Sequence, residues 1–220
     1  MKGKSPVPRG VSVVTTTWNE AENIAELILR IKAALKGTSH EVIVVDDNSS
    51  DGTLDAAKPL ADISLGKTRE GQTKGLLCGA KLAKYPIVIT IDSDLENPPE
   101  LIPVLLAKMK NFGVVVASRR VLPRISEKWA SKTMGKLCGT SDFYSNFRAF
   151  RREAIVNTEI SGGETFGGEL LVVAKKRGFQ VTEVIYDAPP RRRIPRIGRS
   201  FGANWRITKA SLKCWLIYWF

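Results

Sequence analysis

Asp92 and Asp94 close the apolar, mostly β-branched run Ile87-Val88-Ile89-Thr90-Ile91. Carboxylates at the end of so apolar a segment need a purpose, because a buried charge without a partner is costly. In an extended chain residues i and i+2 point the same way, so both carboxylates can face one crevice. Paired oxygens of this kind suit a hard cation such as Mg²⁺ or Mn²⁺, which takes one or two carboxylates and bridges phosphates. There it would neutralise charge developing on a leaving diphosphate. Asp-x-Asp alone also describes an ordinary solvated turn. A second acidic strand end, Asp46-Asp47-Asn48-Ser49-Ser50-Asp51-Gly52-Thr53, strengthens the catalytic reading. Residues 48–52 have the composition of a tight turn, whereas Asp47 is predicted to accept hydrogen bonds from a base or ribose.

Positioning these groups requires strands that end together. Residues 11–17, 41–45, 63–65, 86–91 and 114–117 are predicted strands. Between them lie predicted helices over 21–36, from the turn to about Pro59, 74–84, and 98–110 with proline in its first turn. Asn19, three positions before Glu22, has the spacing of a helix cap. Uniformly apolar strands alternating with helices predict an α/β fold with a mainly parallel sheet covered on both faces. Ligands then bind beyond the carboxyl ends of the strands. The polar clusters Trp18-Asn19-Glu20, Asp46-Asp47, Asp92-Ser93-Asp94 and Ser118-Arg119-Arg120 fall at those ends. Further on, 126–137 and 168–177 read as helices, 143–150 as extended, 181–186 as a strand and 189–200 as an Arg-rich loop. The expected organisation is an N-terminal extension over 1–10, a single domain over 11–200, and an amphipathic helix within 201–220. That helix places Trp205, Leu212, Trp215, Leu216 and Trp219 on one face, with Arg206, Lys209 and Lys213 opposite. The pattern fits a membrane interface, a helix packed on the core, or a segment preceding a membrane span.

The net charge of +12 is concentrated late: no acidic residue follows Asp187, while Arg191, Arg192, Arg193, Arg196, Arg199, Arg206, Lys209 and Lys213 do. Such a tail suits a polyanion, namely nucleic acid, an anionic membrane or a phosphate-bearing substrate. Nucleic-acid binding would explain none of the acidic strand ends, so no nucleic-acid partner is expected. Cys78, Cys138 and Cys214 are widely spaced, and His40 is the only histidine. Zinc ribbons, disulfide scaffolds and histidine-based nucleophilic mechanisms are therefore disfavoured, and a reducing compartment is the simpler reading. His40 itself is expected to be structural or solvated. The start Met-Lys-Gly-Lys-Ser-Pro has no apolar signal region.

Several runs together resemble family 2 glycosyltransferases, within them the branch of dolichol-phosphate mannose synthases and other polyprenyl-phosphate glycosyltransferases. They are Thr17-Trp18-Asn19-Glu20-Ala21-Glu22-Asn23-Ile24, Val44-Val45-Asp46-Asp47-Asn48-Ser49-Ser50-Asp51-Gly52-Thr53, Lys74-Gly75-Leu76 with Gly79-Ala80, and Ile91-Asp92-Ser93-Asp94-Leu95-Glu96-Asn97-Pro98-Pro99-Glu100. Asp142, Ser145, Phe147, Arg148 and Phe150, then Arg196, Gly198 and Ser200, continue the series. The resemblance implies a GT-A, Rossmann-like fold and a hexosyltransferase that inverts the anomeric centre. Its donor would be GDP-mannose or another nucleotide-sugar, and its acceptor a polyprenyl or dolichyl phosphate. It also implies Mg²⁺ or Mn²⁺, a peripheral place on the cytoplasmic face of a membrane, and a membrane-protein subunit as a further partner.

By the same resemblance Thr17, Trp18, Glu20 and Asp47 would contact the nucleoside. Arg69, Lys74, Asp92 and Ser93 complete the nucleotide-sugar site, and Asp92, Asp94 and Glu96 the metal site. Arg119, Ser145, Arg148, Arg196 and Ser200 would lie around the acceptor phosphate, with Asp94, Arg119 and Arg148 as the catalytic group. Glu96 stands where the branch usually has glutamine, which bears on metal preference and nucleotide identity. Asn146 replaces a glycine, and a tolerant left-handed turn is expected there. A phosphate acceptor needs no general base, because its second pKa near ~6 leaves it largely dianionic at neutral pH. Arginines that position it are what such a site requires. A saccharide acceptor would need a carboxylate base, for which Asp142 is the candidate, although an orienting role suits it better. A UDP-sugar donor or a non-phosphate acceptor on the same fold is the alternative.

Overall fold

The computed structural model describes residues 10–189 and 201–219. Its strands form where β-branched residues run together: β1 Val11–Thr17, β2 His40–Asp46, β3 Ile63–Gly66, β4 Ile87–Asp92, β5 Val114–Arg119, β6 Arg148–Arg151 and β7 Val181–Tyr186. They make one sheet in the order β3-β2-β1-β4-β6-β5-β7. Within it β6 alone runs antiparallel to its neighbours β4 and β5. The helices are α1 Ala21–Ala34, α2 Thr53–Ala57, α3 Gln72–Leu82, α4 Ile102–Lys108, α5 Ile125–Ala130, α6 Lys136–Cys138, α7 Arg152–Ile155, α8 Gly168–Lys176 and α9 Phe201–Trp219. A π-helical turn, Ser131–Gly135, joins α5 to α6.

The period-2 alternation of each strand divides the core between two faces. Val11, Val13, Val42, Val44, Ile87, Ile89 and Ile91 face α1 and α4, against Ile24, Leu27, Ile28, Ile31, Ile102 and Leu105. Val14, Ile43, Val45, Val88, Val114 and Val116 face the other way, against Leu76, Leu77 and Ala80 of α3, Leu170 and Leu171 of α8, and Ile207 and Ala210 of α9. Burying each such aliphatic side chain contributes about 1.5–3 kcal/mol. Gly75 and Gly79 explain how closely α3 approaches β1: a Cβ at either would press into the Thr16 or Val14 side chain.

Several elements differ from expectation at their ends. The expected helix over 98–110 begins as a 3₁₀ turn, Pro99–Leu101, before α4. Asn19 does not cap α1. It lies at φ 55°, and its side-chain oxygen accepts the Ser50 N–H at 3.0 Å. The exposed Ala21 N–H is met at 3.1 Å by Asp51, a carboxylate from the neighbouring loop. Asn146 is not left-handed; the positive-φ residues other than glycine among those described are Asn19, Asn48, Leu95, Asn157 and Phe166. In α9 the small residues Ala203, Ala210, Ser211 and Cys214, with Ile207, pack on the core. Trp205, Leu212, Trp215, Leu216 and Trp219 stay exposed. Arg206 and Lys209 are exposed on that side as well, and Lys213 instead turns in to donate to the Gly162 carbonyl. No helix among the described residues is long and apolar enough to cross a membrane.

Candidate active site

The order β3-β2-β1-β4 means that the chain winds outward from β1 to β3 and then returns to the other side of β1. Such a reversal opens a crevice at the carboxyl ends of the two central strands. Asp92 stands there, opposite Thr16 in register, and Asp46 stands opposite Thr17. The Asp92–Leu95 turn is tied to β1 by the Ser93 hydroxyl, which donates to the Thr16 carbonyl at 3.1 Å. Leu95 takes φ 61°. That conformation costs a branched residue about 1–2 kcal/mol, and burial of the leucine side chain, 5% exposed, offsets it.

Asp92 is raised to about 7 by burial and then by the charge of Asp94; Arg119 and the amides of Gln72 and Asn97 pull the other way. Two carboxylates that resist ionising together fit a divalent cation, which would remove that repulsion. Among the described residues no three acidic, histidine or cysteine side chains converge on one point. The cation would therefore rest on Asp92 and Asp94 and complete its shell with phosphate oxygens and water, as hard cations do. Glu96 is not brought in as a third carboxylate; its backbone N–H donates to Asp94 Oδ1 at 3.0 Å.

At the end of β2, Asp46 accepts from the Thr17 hydroxyl at 2.8 Å and from the N–H and hydroxyl of Ser49. Asp47 Oδ1 accepts from Lys67 Nζ at 2.6 Å and the Glu70 N–H at 2.9 Å, and its Oδ2 from the Gly71 N–H at 3.0 Å. Burial alone would raise this carboxyl, but Lys67 and the two backbone groups outweigh it and hold Asp47 below the ordinary range. Asp47 thus organises the loop that carries Arg69, whose guanidinium lies 3.5 Å from the centre of the Trp18 ring. Lys74 reaches the same loop through Glu70, at 2.9 Å. Glu20 is buried and accepts from the Asn23 amide at 2.6 Å. Outside this loop lies a groove of ≈ 490 Å³ lined by Asn48, Ser49, Leu54, Lys67 and Thr68 among others.

On the other side, Arg119 is fixed by Asp142. Its Nε and Nη2 donate to the two carboxylate oxygens at 2.6 and 3.0 Å, and its backbone N–H adds a third bond. Glu127 stands 3.7 Å away and is also bound by Arg124. Burial lowers the Arg119 pKa, but these two carboxylates reverse the effect and raise it above the ordinary value. Asp142, 1% exposed, therefore orients Arg119. Arg148 is equally buried: Nη1 and Nη2 donate to the carbonyls of Gly167 and Phe143. Burial pushes its guanidinium down to about 10. The Ser145 hydroxyl donates to the Ala117 carbonyl at 2.6 Å. The structure thus gathers Thr17, Trp18, Asp47, Arg69, Asp92, Ser93, Asp94 and Arg119 along the strand ends. Ser145 and Arg148 are hydrogen-bonded to backbone carbonyls; Arg196 and Ser200 lie outside the described residues. Lys67, Gln72, Asn97 and Tyr186 also belong to the site. Only Asn97 carried a sequence signal, as part of the Asp92 run.

The profile of the family described as "Glycosyl transferase family 2" matches residues 12–166. A dolichol-phosphate mannosyltransferase of Pyrococcus furiosus is 33% identical over 171 residues, which are 69% of this chain and 49% of that protein. An undecaprenyl-phosphate 4-deoxy-4-formamido-L-arabinose transferase of Aeromonas hydrophila is 34% identical over 165 residues, 66% of this chain and 50% of that protein. The chain spans about half the length of these curated relatives. Among solved structures, glucosyl-3-phosphoglycerate synthase of Mycobacterium tuberculosis bound to phosphoglyceric acid superposes with a TM-score of 0.77 at 23% identity, covering 94% of this chain and 80% of that one. The same enzyme with Mn²⁺, uridine diphosphate and phosphoglyceric acid gives 0.76 at 22%, covering 94% and 78%. The sheet order and flanking helices are those of the GT-A fold, and the chain belongs to glycosyl transferase family 2.

Proposed function

We propose that this chain transfers a sugar, with inversion, from a nucleoside-diphosphate sugar to a polyprenyl phosphate at a membrane surface. Mannose from GDP-mannose is the first donor to test. The observation that carries the reading is the Asp92–Asp94 pair at the switch point, where burial and the neighbouring Asp94 carboxylate disfavour the charge of Asp92. Mg²⁺ or Mn²⁺ on those carboxylates would supply charge neutralisation for the departing diphosphate. Trp18, with Arg69 stacked on its ring, lies beside the base, and Asp47 with Lys67 holds the Arg69 loop in place. Arg119 faces the acceptor phosphate, fixed in orientation by Asp142. A phosphate oxygen of the acceptor attacks the anomeric carbon as the bond to the diphosphate breaks and its electron pair leaves with the diphosphate. No proton has to move, which suits a site where the one candidate base, Asp142, is already bound by Arg119.

The lipid side of the reading rests on α9 and α5. Trp205, Leu212, Trp215, Leu216 and Trp219 are exposed, and Ile125 and Trp129 of the adjoining α5 are 81% and 43% exposed. α5 and α9 are joined where Asn204 accepts from the Ser126 hydroxyl at 2.7 Å. Tryptophans and aliphatics interleaved with Arg206 and Lys209 suit an interface with anionic lipid.

Transfer from GDP-mannose to a short polyprenyl phosphate with Mg²⁺ or Mn²⁺ tests the proposal. UDP-glucose and UDP-N-acetylglucosamine are the comparison donors, since the solved neighbours at this fold are described with uridine nucleotides. Metal-dependent turnover with a phosphate acceptor is the expected result. Transfer to a free saccharide and none to polyprenyl phosphate would overturn the acceptor assignment.

A further inference from the structure

Among the described residues, the Asp92 carboxylate is hydrogen-bonded by two neutral amides and by no cationic side chain. Gln72, the first residue of α3, donates from Nε2 to Oδ1 at 2.5 Å. Asn97, two residues before the 3₁₀ turn, donates from Nδ2 to Oδ2 at 3.2 Å. The other end of the Asn97 amide accepts from the Tyr186 hydroxyl at 2.6 Å. Tyr186 is the last residue of β7 and is 6% exposed, so its hydroxyl proton needs an acceptor inside the protein.

These three contacts fix one another. An asparagine amide presents donors at one end and only an acceptor at the other. Were it reversed, its oxygen would face the Asp92 carboxylate and its NH₂ the Tyr186 hydroxyl, leaving two oxygens in repulsion and the phenol proton unsatisfied. Tyr186 therefore selects the end of Asn97 that faces Asp92. With one amide on each oxygen, the plane of the carboxylate is set, while each oxygen keeps a lone pair for a further ligand. Neutral donors also leave the negative charge in place. The contrast is Asp47, whose charge is met by Lys67 at 2.6 Å.

We propose that Gln72, Asn97 and Tyr186 are positioning residues that hold the Asp92 carboxylate ready for a divalent cation. This rests on the reading of Asp92 as a cation ligand given above. Partners of this kind typically hold 10–100-fold of a site's metal affinity.

The test is Mn²⁺ binding to the purified chain with GDP present, followed by the loss of the free-ion electron paramagnetic resonance signal, with thermal melting as the check on folding. Gln72→Ala and Asn97→Ala are expected to weaken Mn²⁺ binding roughly tenfold or more, and Tyr186→Phe by a smaller factor. Tyr186→Phe keeps the ring and removes only the hydroxyl, so a ring that merely packs predicts no change, and the variant remains informative if truncating Asn97 unfolds the turn. Asp92→Ala separates the two layers of the argument. If it abolishes Mn²⁺ binding while the other three variants stay at wild-type affinity, the positioning role is overturned and the ligand assignment stands. If Asp92→Ala itself binds Mn²⁺ as the wild type does, both fall together.

Discussion

Two strand ends of this sheet carry neighbouring carboxylates, and the fold treats them in opposite ways. At the end of β2 every acidic oxygen is met: Asp46 by Thr17 and Ser49, and Asp47 by Lys67 and two backbone N–H groups. Asp47 is consequently held below the ordinary carboxylate range. At the end of β4, Asp92 is hydrogen-bonded, among the described residues, by neutral amides alone, stands beside another carboxylate and is raised to about 7. The first pair is completed by protein and builds a loop. The second is left electrostatically incomplete, which is the condition a ligand can relieve. Proximity of acidic residues in sequence does not separate these cases; the number and charge of their donors does.

The largest effect that can break this contrast is in catalysis. Asp92→Ala and Asp94→Ala should each lower transfer roughly a thousandfold, the rate equivalent of about 4 kcal/mol of lost charge stabilisation. Turnover near wild type in a GDP-mannose assay would show that the β4 end is only a turn. The metal-free protein offers a second measure. A carboxyl whose folded pKa is raised contributes stability that is fully present below its unfolded pKa and lost as pH rises through the folded value. Melting of the metal-free protein should therefore decline between pH 4 and about pH 7, by up to about 4 kcal/mol. Mn²⁺ with GDP should restore stability most at the upper end, and Asp92→Asn should flatten the decline.

Asp47 has the opposite sign. Its depressed pKa contributes stability that is present above the unfolded value and lost only as pH falls through the folded one. Across the window that exposes Asp92 it should be silent. Asp47→Asn removes the carboxylate 2.6 Å from Lys67, leaving it the Thr68 carbonyl and the more distant Glu70, and forces one loop N–H against an amide donor. We expect a loss of roughly 2 kcal/mol, about 5 °C in melting temperature. Weaker binding of GDP should accompany it, measured by quenching of tryptophan fluorescence. Unchanged stability would mean that the loop is held elsewhere.

Much of this was legible before the fold was known, because strand ends are written locally. The β-branched runs and the polar residues after them placed Trp18, Asp47, Asp92 and Arg119 on one edge of a parallel sheet. What stayed hidden depends on long-range donors. Gln72 meets Asp92 across 20 residues and Tyr186 meets Asn97 across 89; neither pairing has a local pattern. Asn19 misled because its cap-like spacing competes with a loop-to-loop bond that only the β2 turn supplies. Arg148 shows the reverse case. Its motif marks it for the acceptor, and the structure adds that both terminal nitrogens donate to backbone carbonyls, which no local pattern shows. The position of β6 between β4 and β5 was likewise beyond a local reading, since its partners are set by register across the sheet.

The same distinction between groups met by protein and groups left open divides α9, and here the expected effect on stability is smallest. Its buried face is made of small residues, with Ala210 2% and Cys214 0% exposed, whereas Trp215 and Leu216 are 45% and 50% exposed. Ala210→Leu should overpack the helix against the core and cost about 1–3 kcal/mol. Replacing Trp215 and Leu216 together by alanine removes far more volume, yet should change stability by only about 0.5 kcal/mol. If the exposed face meets lipid, the double variant should sediment poorly with anionic vesicles while its transfer to a short, water-soluble polyprenyl phosphate is kept. Equal loss in both assays would mean that these residues support the fold or the site. In that case the exposed face of α9, like the β2 end, would have its partners within the protein.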